Sequence, residues 1–368
     1  MNDFHDLITD AEVIKRSLIS TGNNFRILQA MKKARRGDKV TIAYLGASIT
    51  FPLKVSWNNC YATLSYHYFK ELFTASDKIE YVNAGMNGTS STIGLIRAKR
   101  DILQYQPDII FVEFAVNDSK DSVSREVYEC LILQLLNADT KPAVILLFMT
   151  SESGYSCQGQ MQAVGEYYHL PMISIMDALM PEIINKRFYW SHFSNDNIHP
   201  NEYGNLLIAE FIKYYYYRVM NEEEEQDIEI PGRPFYGNSF INMKLLDSQN
   251  AELISMGSFK ASDTIKEFKN GWVHNQKSGN DSLIMRLTCK SLFVIFKESN
   301  EITEGNAQII IDGIISATLS GYRMFGWNNP TVRLVLRDEE TLERVIEVKM
   351  ENGSENKNFS LLAFGYCV

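Results

Sequence analysis

The sequence predicts an α/β domain built on a five-stranded parallel sheet, followed by an all-β domain. Three observations carry this. Five apolar, β-branched runs occupy residues 39–47, 79–85, 108–116, 143–149 and 171–176, and segments with helical spacing separate them at 60–74, 90–105, 122–138 and 157–169. Beyond residue 234 the helical spacing stops and short strand-like runs take over.

Each element has its own reason. Four of the five runs, among them "KVTIAYLGA" and "AVILLFM", are near-continuous in apolar residues, which suits strands covered on both faces. Alternation of such strands with helices is the pattern of a parallel sheet. A last helix, 201–220, carries Leu206, Leu207, Ile208, Phe211 and Ile212 as one apolar stripe and closes the domain. Then "NEEEEQDIEIPGRP" (221–234) combines a charge run with Pro-Gly-Arg-Pro, the composition of a linker. Domains over 1–225 and 226–368 follow. Runs such as "SLIMRLTC", "SLFVIFK", "AQIIIDG" and "RVIEVKM", separated by turn clusters, predict that the second is an antiparallel β-sandwich.

Bulk composition narrows the function. With 36 Lys and Arg against 45 Asp and Glu, the net charge of −9 argues against nucleic acid and anionic membrane surfaces as partners. Cys60, Cys130, Cys157, Cys289 and Cys367 are odd in number and lack paired spacing, so they read as free thiols in a reducing, cytoplasmic compartment. No basic-then-apolar leader opens the chain, and no apolar window reaches membrane-spanning length. His, Cys and carboxylates do not cluster at ligand spacing, so neither a metal nor another cofactor is expected. The sequence leaves a homo-oligomer open.

In an open α/β sheet, reactive groups gather beyond the carboxyl ends of the strands. The first run ends in "GAS" at Ser48, the second in "NAGMNGTSS" (83–91), and the third in "AVND" (115–118) at Asn117. Just before the closing helix, "SNDNIHPN" (194–201) places Asp196 three residues ahead of His199. Acyl transfer by a serine needs an imidazole to take its proton and a carboxylate to fix the imidazole tautomer. It also needs donors for the tetrahedral oxyanion, for which the Ser48 N–H, the Gly88 N–H and the Asn117 amide are candidates. Singly, each has a plain structural reading. Ser48 would serve as a helix N-cap, Asp196 as a cap for a helix opening near Pro200, and Asn117 as half of a turn pair.

Together and in this order, the four blocks resemble the SGNH (GDSL-type) hydrolase superfamily over roughly residues 10–220. The resemblance implies a three-layer, flavodoxin-like α/β/α fold. It makes Ser48 the nucleophile, Asp196 and His199 the orienting acid and the base, and Ser48, Gly88 and Asn117 the oxyanion hole. Gly46-Ala47-Ser48 departs from the usual Gly-Asp-Ser, in a residue outside the triad. "YVNAG", "FVEFAVND" and "IHPN" further resemble a bacterial subgroup that appends a C-terminal β-sandwich, similar to a carbohydrate-binding module. Its members include carbohydrate acetylesterases, notably acetyl-mannan esterases. An acetylated oligosaccharide is the substrate this implies, mannan-type before xylan. A lipase- or thioesterase-like hydrolase of non-carbohydrate esters, and a non-catalytic glycan-binding protein, are the competing readings.

Trp57, in the polar stretch "SWNN", and Trp327, in "GWNNP", are candidates for stacking on a sugar ring. His192 could line the pocket, whereas His67 and His169 read as packing or surface residues, and His5 and His274 carry no signal. Trp272 and the tyrosines at 214–217 read as core or helix-face residues.

Overall fold

The computed structural model describes residues 6–74 and 76–368; His5 lies outside them. The chain divides into two compact units after Asn238.

Nine helices, counted among the described residues, surround the first sheet: α1 (Ala11–Ser17), α2 (Phe25–Arg35), α3 (Tyr61–Phe73), α4 (Ser91–Asp101), α5 (Ser122–Leu136), α6 (Gln158–Tyr167), α7 (Ile175–Ile184), α8 (Trp190–Phe193) and α9 (Glu202–Val219). The sheet holds β1 (Leu18–Ser20), β2 (Val40–Gly46), β3 (Ile79–Gly85), β4 (Ile109–Glu113), β5 (Ala143–Phe148) and β6 (Met172–Ser174), in the order β1-β6-β5-β4-β2-β3. β2 to β6 are the expected five parallel strands. The sixth, β1, pairs antiparallel with β6 and was not expected, because three residues are too few to show a period.

Burial explains the residue patterns. Every residue of β2, β4 and β5 is buried, while β3 at the sheet edge is only partly covered. Val40, Ile42 and Tyr44 of β2 share one core with Phe69 of α3, Ile27 of α2, Leu179 of α7 and Phe211 of α9. Their neighbours Ala43 and Leu45 are equally buried on the other face, where Gly94 of α4 lets the Phe114 ring approach to 2.7 Å of where a Cβ would stand. The chain leaves β2 for β3 on one side and returns to β4 on the other. This reversal opens a crevice at the carboxyl ends of β2 and β4. Among the described residues, no helix is long and apolar enough to cross a membrane. All five cysteines are buried thiols.

The charged segment 221–238 packs on the first unit, so the division falls after Asn238 rather than after residue 225. Arg26 pairs with Asp227 at 2.8 Å, and the Asn24 side chain donates to the Glu223 carbonyl. Glu129, buried on α5, accepts from the backbone N–H groups of Phe235, Tyr236 and Gly237 at 2.5, 2.6 and 3.0 Å. Its charge run is complementary to α2, which carries Lys32, Lys33 and Arg35.

The second unit is all-β: β7 (Lys244–Leu246), β8 (Glu252–Ser255), β9 (Lys260–Ser262), β10 (Gly271–His274), β11 (Leu283–Ser299), β12 (Asn306–Ile311), β13 (Ile314–Ser320), β14 (Trp327–Met350) and β15 (Phe359–Cys367), all antiparallel. "SLIMRLTC" and "SLFVIFK" are one 17-residue strand, β11, with a register shift between Cys289 and Ser291. That shift moves its core residues from Leu283, Met285, Leu287 and Cys289 to Leu292, Val294 and Phe296. Across that shift β11 advances two residues and β14 five, and this break in the ladder goes with the change of inward face along a single strand.

Candidate active site

Strand ends position the site. Gly46, Gly85 and Glu113 are in register across β3, β2 and β4, so the loops carrying Ser48, Gly88 and Asn117 leave one edge of the sheet side by side. Ser48 caps no helix. It lies in a tight turn, closed by the Phe51 N–H donating to the Ala47 carbonyl at 2.9 Å. Gly46 and Gly85 permit this turn: a Cβ on Gly46 would stand 2.0 Å from Thr50 Oγ1, and one on Gly85 2.2 Å from the Phe51 nitrogen.

The loop after α8 brings Asp196 and His199 to the serine. His199 Nε2 lies 2.9 Å from Ser48 Oγ, and its Nδ1 lies 2.9 Å from Asp196 Oδ2. Asp196 Oδ1 accepts from the N–H groups of Ile198 and His199 at 2.9 and 2.7 Å. Burial pushes this carboxyl up, but the His199 and Ile198 N–H groups and the imidazole outweigh it and bring it down to about 2. Asp196 does not cap the closing helix: α9 starts at Glu202, two residues after Pro200, with Asn201 Oδ1 accepting from the Gly204 N–H.

Ser194 and Trp190, which sequence reasoning passed over, shape that loop. The buried Ser194 hydroxyl reaches the carbonyls of Asp196 and His199 at 2.8 and 2.5 Å, and Trp190 Nε1 donates to the Asp196 carbonyl at 2.6 Å. A serine two residues before an aspartate is the turn signal that could have found Ser194. Asp118 was also missed as more than a turn partner. Its carboxylate accepts from both the N–H and the hydroxyl of Ser91, tying the loop after β4 to the start of α4. The loop after β5 joins the set, with the Tyr155 hydroxyl on the Asp118 carbonyl and the Glu152 N–H on the Asn197 carbonyl.

Of the oxyanion candidates, Gly88 turns the β3–α4 loop with φ of +68°, a conformation that suits glycine. Asn117 donates its backbone N–H to the Phe114 carbonyl, and its buried side-chain oxygen has no partner among the described residues. Trp57 is half exposed on a 3₁₀ turn, edge-on to Phe51 with centroids 5.4 Å apart. It is therefore not a core tryptophan. On the same loop Lys54 Nζ stands 3.7 Å from Asp196 Oδ2. His192 packs against the rings of Phe188 and Tyr189. In the second unit Trp327 is 55% exposed and follows Phe325, 83% exposed, while Trp272 is fully buried.

A serine, a histidine and an aspartate in one hydrogen-bonded relay, beside a glycine turn and an asparagine at neighbouring strand ends, can perform acyl transfer. Known structures agree in architecture. The fold superposes with a TM-score of 0.89 on a two-domain esterase active on acetylated mannans, at 27% identity over 96% of this chain and 98% of that one. Against such an esterase co-crystallised with mannopentaose the TM-score is 0.86, at 26% identity over 96% and 97% of the two chains. This chain has the architecture of a two-domain esterase, an α/β domain followed by a C-terminal β domain. The match spans both units and supports an esterase. No protein-family model and no curated protein matches the sequence.

Proposed function

We propose that the chain is a carbohydrate acetylesterase, removing O-acetyl groups from plant-type oligosaccharides, mannan-type before xylan. The observation that carries the reading is the unbroken relay from Ser48 Oγ through His199 to Asp196, at 2.9 Å on each side of the imidazole. Whole-length likeness to an esterase active on acetylated mannans supports the substrate class.

The steps follow from the groups in place. His199 Nε2 takes the Ser48 proton as Oγ attacks the acetyl carbonyl carbon. Asp196, ionised and bonded to Nδ1, holds the tautomer that leaves Nε2 free to accept and stabilises the imidazolium. The Ser48 and Gly88 N–H groups and the Asn117 amide meet the oxyanion; losing one such donor costs about 3–4 kcal/mol of barrier. His199 then gives the proton to the departing sugar oxygen as its bond to the acetyl carbon breaks, so the sugar leaves with a free hydroxyl. Water, activated by the same imidazole, releases acetate from Ser48. Trp57 and Trp327 offer aromatic faces to the glycan. The reaction needs no cofactor. Five buried thiols fit a cytoplasmic enzyme acting on imported oligosaccharides.

Mass spectrometry of acetylated mannan, xylan and pectin oligosaccharides before and after incubation tests the reading. Losses of 42 mass units, about one acetyl each, are expected from mannan first and abolished in Ser48→Ala. Full activity of Ser48→Ala, or faster cleavage of decanoate than of acetate esters, defeats it.

A further inference from the structure

A second carboxyl lies beneath the serine turn, and the relay does not use it. Glu113 ends β4, in register with Gly46, and is fully buried. Its Oε2 accepts from the Thr50 hydroxyl at 3.1 Å and is approached by the Ala47 N–H at 3.4 Å. One oxygen therefore holds the turn on both sides of Ser48. Thr50 Oγ1 is also 2.8 Å from the Tyr61 hydroxyl. With Thr50 donating to Glu113, Tyr61 must donate to Thr50, so an ionised carboxylate orients both hydroxyl protons. Oε1, by contrast, is buried with no hydrogen-bond partner among the described residues. A carboxylate kept half-bonded in a protein interior costs stability, and the location directly under the nucleophile suggests what that cost sustains.

We propose that Glu113 is a positioning residue for the nucleophile: its carboxylate grips the turn from Ala47 to Thr50, and protonation releases that grip. The inference rests on reading Ser48 as the nucleophile. The groups facing Glu113 leave its charge uncompensated. Asp118 repels it, and the Tyr61 and Tyr128 hydroxyls are pushed well above their ordinary range by burial and stay neutral. Arg97 of α4 is spent on the Gly46 carbonyl at 3.0 Å and on Asp101, and His199 stands across the turn beside Ser48. Burial, with Asp118 adding to it, pushes Glu113 up to about 7 against the pull of its donors. The carboxyl therefore changes charge close to neutrality.

This predicts opposite effects on rate and stability. A folded-state value raised above the ordinary 4.5 means that ionisation opposes folding. The penalty is absent below that value, grows as pH rises, and is complete above about 7. Glu113→Gln keeps the shape and removes the charge. At pH 8 it should turn over 4-nitrophenyl acetate at least about tenfold more slowly than wild type, yet unfold at a higher temperature. At acid pH both differences should shrink, because wild type has itself lost the charge. Thr50→Val, which removes one donor from the carboxylate, should move the acid limb of kcat/KM to higher pH. A Glu113→Gln enzyme within twofold of wild type at pH 8, or one that loses rate and stability in parallel at every pH, overturns the proposal. So does an acid limb unmoved in Thr50→Val. A wild type inert towards all acyl esters overturns the esterase reading as well, which an active wild type with unaffected variants does not.

Discussion

Ser91 donates to Asp118 twice, from its backbone N–H at 2.7 Å and from its hydroxyl at 2.5 Å, and both residues are buried. Ser91 opens α4 immediately after the glycine turn, and Asp118 follows Asn117. The bond pair therefore couples two of the three loops that carry oxyanion candidates, those of Gly88 and Asn117; burial pushes the Asp118 carboxyl up to about 7 against the pull of the two Ser91 bonds. Asp118→Ala should lower kcat on 4-nitrophenyl acetate about tenfold to a hundredfold while changing KM by no more than about twofold. Steady-state kinetics decide it; a pure KM effect would show that the clamp serves binding instead.

Asp196 makes a sharper prediction about pH. Its carboxyl sits at about 2, so its stabilising contribution is fully present above the ordinary 3.8 and is lost only as pH falls through about 2. Between pH 4 and 9 the activity profile should contain no inflection from this residue. In Asp196→Asn the side-chain oxygen can still accept from Ile198 and His199 N–H, so the loop keeps its shape. The amide nitrogen then faces Nδ1, selects the wrong imidazole tautomer and lowers kcat about ten-thousand-fold. Circular dichroism matching wild type, together with that loss, is the expected pair of results.

Glu129 holds the segment that leads out of the first unit. Besides three N–H groups it accepts from the Tyr168 hydroxyl at 2.6 Å. Glu129→Ala strips four donors of their acceptor and should destabilise the packing of residues 235–237 by about 1–3 kcal/mol. Chymotrypsin should then cut after Phe235 or Tyr236 many times faster than in wild type. An unchanged cleavage rate would assign the anchoring to the Arg26–Asp227 pair instead.

The exposed tryptophans separate glycan from small ester. Trp57→Ala and Trp327→Ala should each raise KM for acetylated mannan oligosaccharides, by about fivefold to tenfold if one stacking contact of roughly 1 kcal/mol is lost. Turnover of 4-nitrophenyl acetate should stay within about twofold. Equal effects on both substrates would make these rings parts of the scaffold.

Much of the site was legible because its residues sit where the pattern changes. Ser48 and Asn117 follow buried apolar runs, and Asp196 and His199 share a short polar loop with a proline. The order of strand ends in sequence became proximity in space because parallel strands all finish at one edge. Less legible were the residues whose importance lies in what they hold. Glu113 reads as a charge inside an apolar strand, and Asp118 and Ser194 read as turn residues; their partners are 63, 27 and up to 5 positions away. Short elements were missed for a different reason. β1 and β7 span three residues each, and α7 starts directly at the end of β6, leaving no spacer to mark the change. The charge run at 221–234 looked like a solvated tether because its complement, α2, lies some two hundred residues earlier.

Ser48 and His199 are separated by 151 positions, and β3, β4, β5 and β6 all lie between them. The hydroxyl and the imidazole can meet only when the last parallel strand has docked and the loop beyond α8 has closed over the sheet. On the proposed mechanism, catalytic competence is thus a high-contact-order property, acquired late in refolding and surrendered early in partial melting. During synthesis a nascent chain carries Ser48 through the whole assembly of the sheet before His199 can reach it.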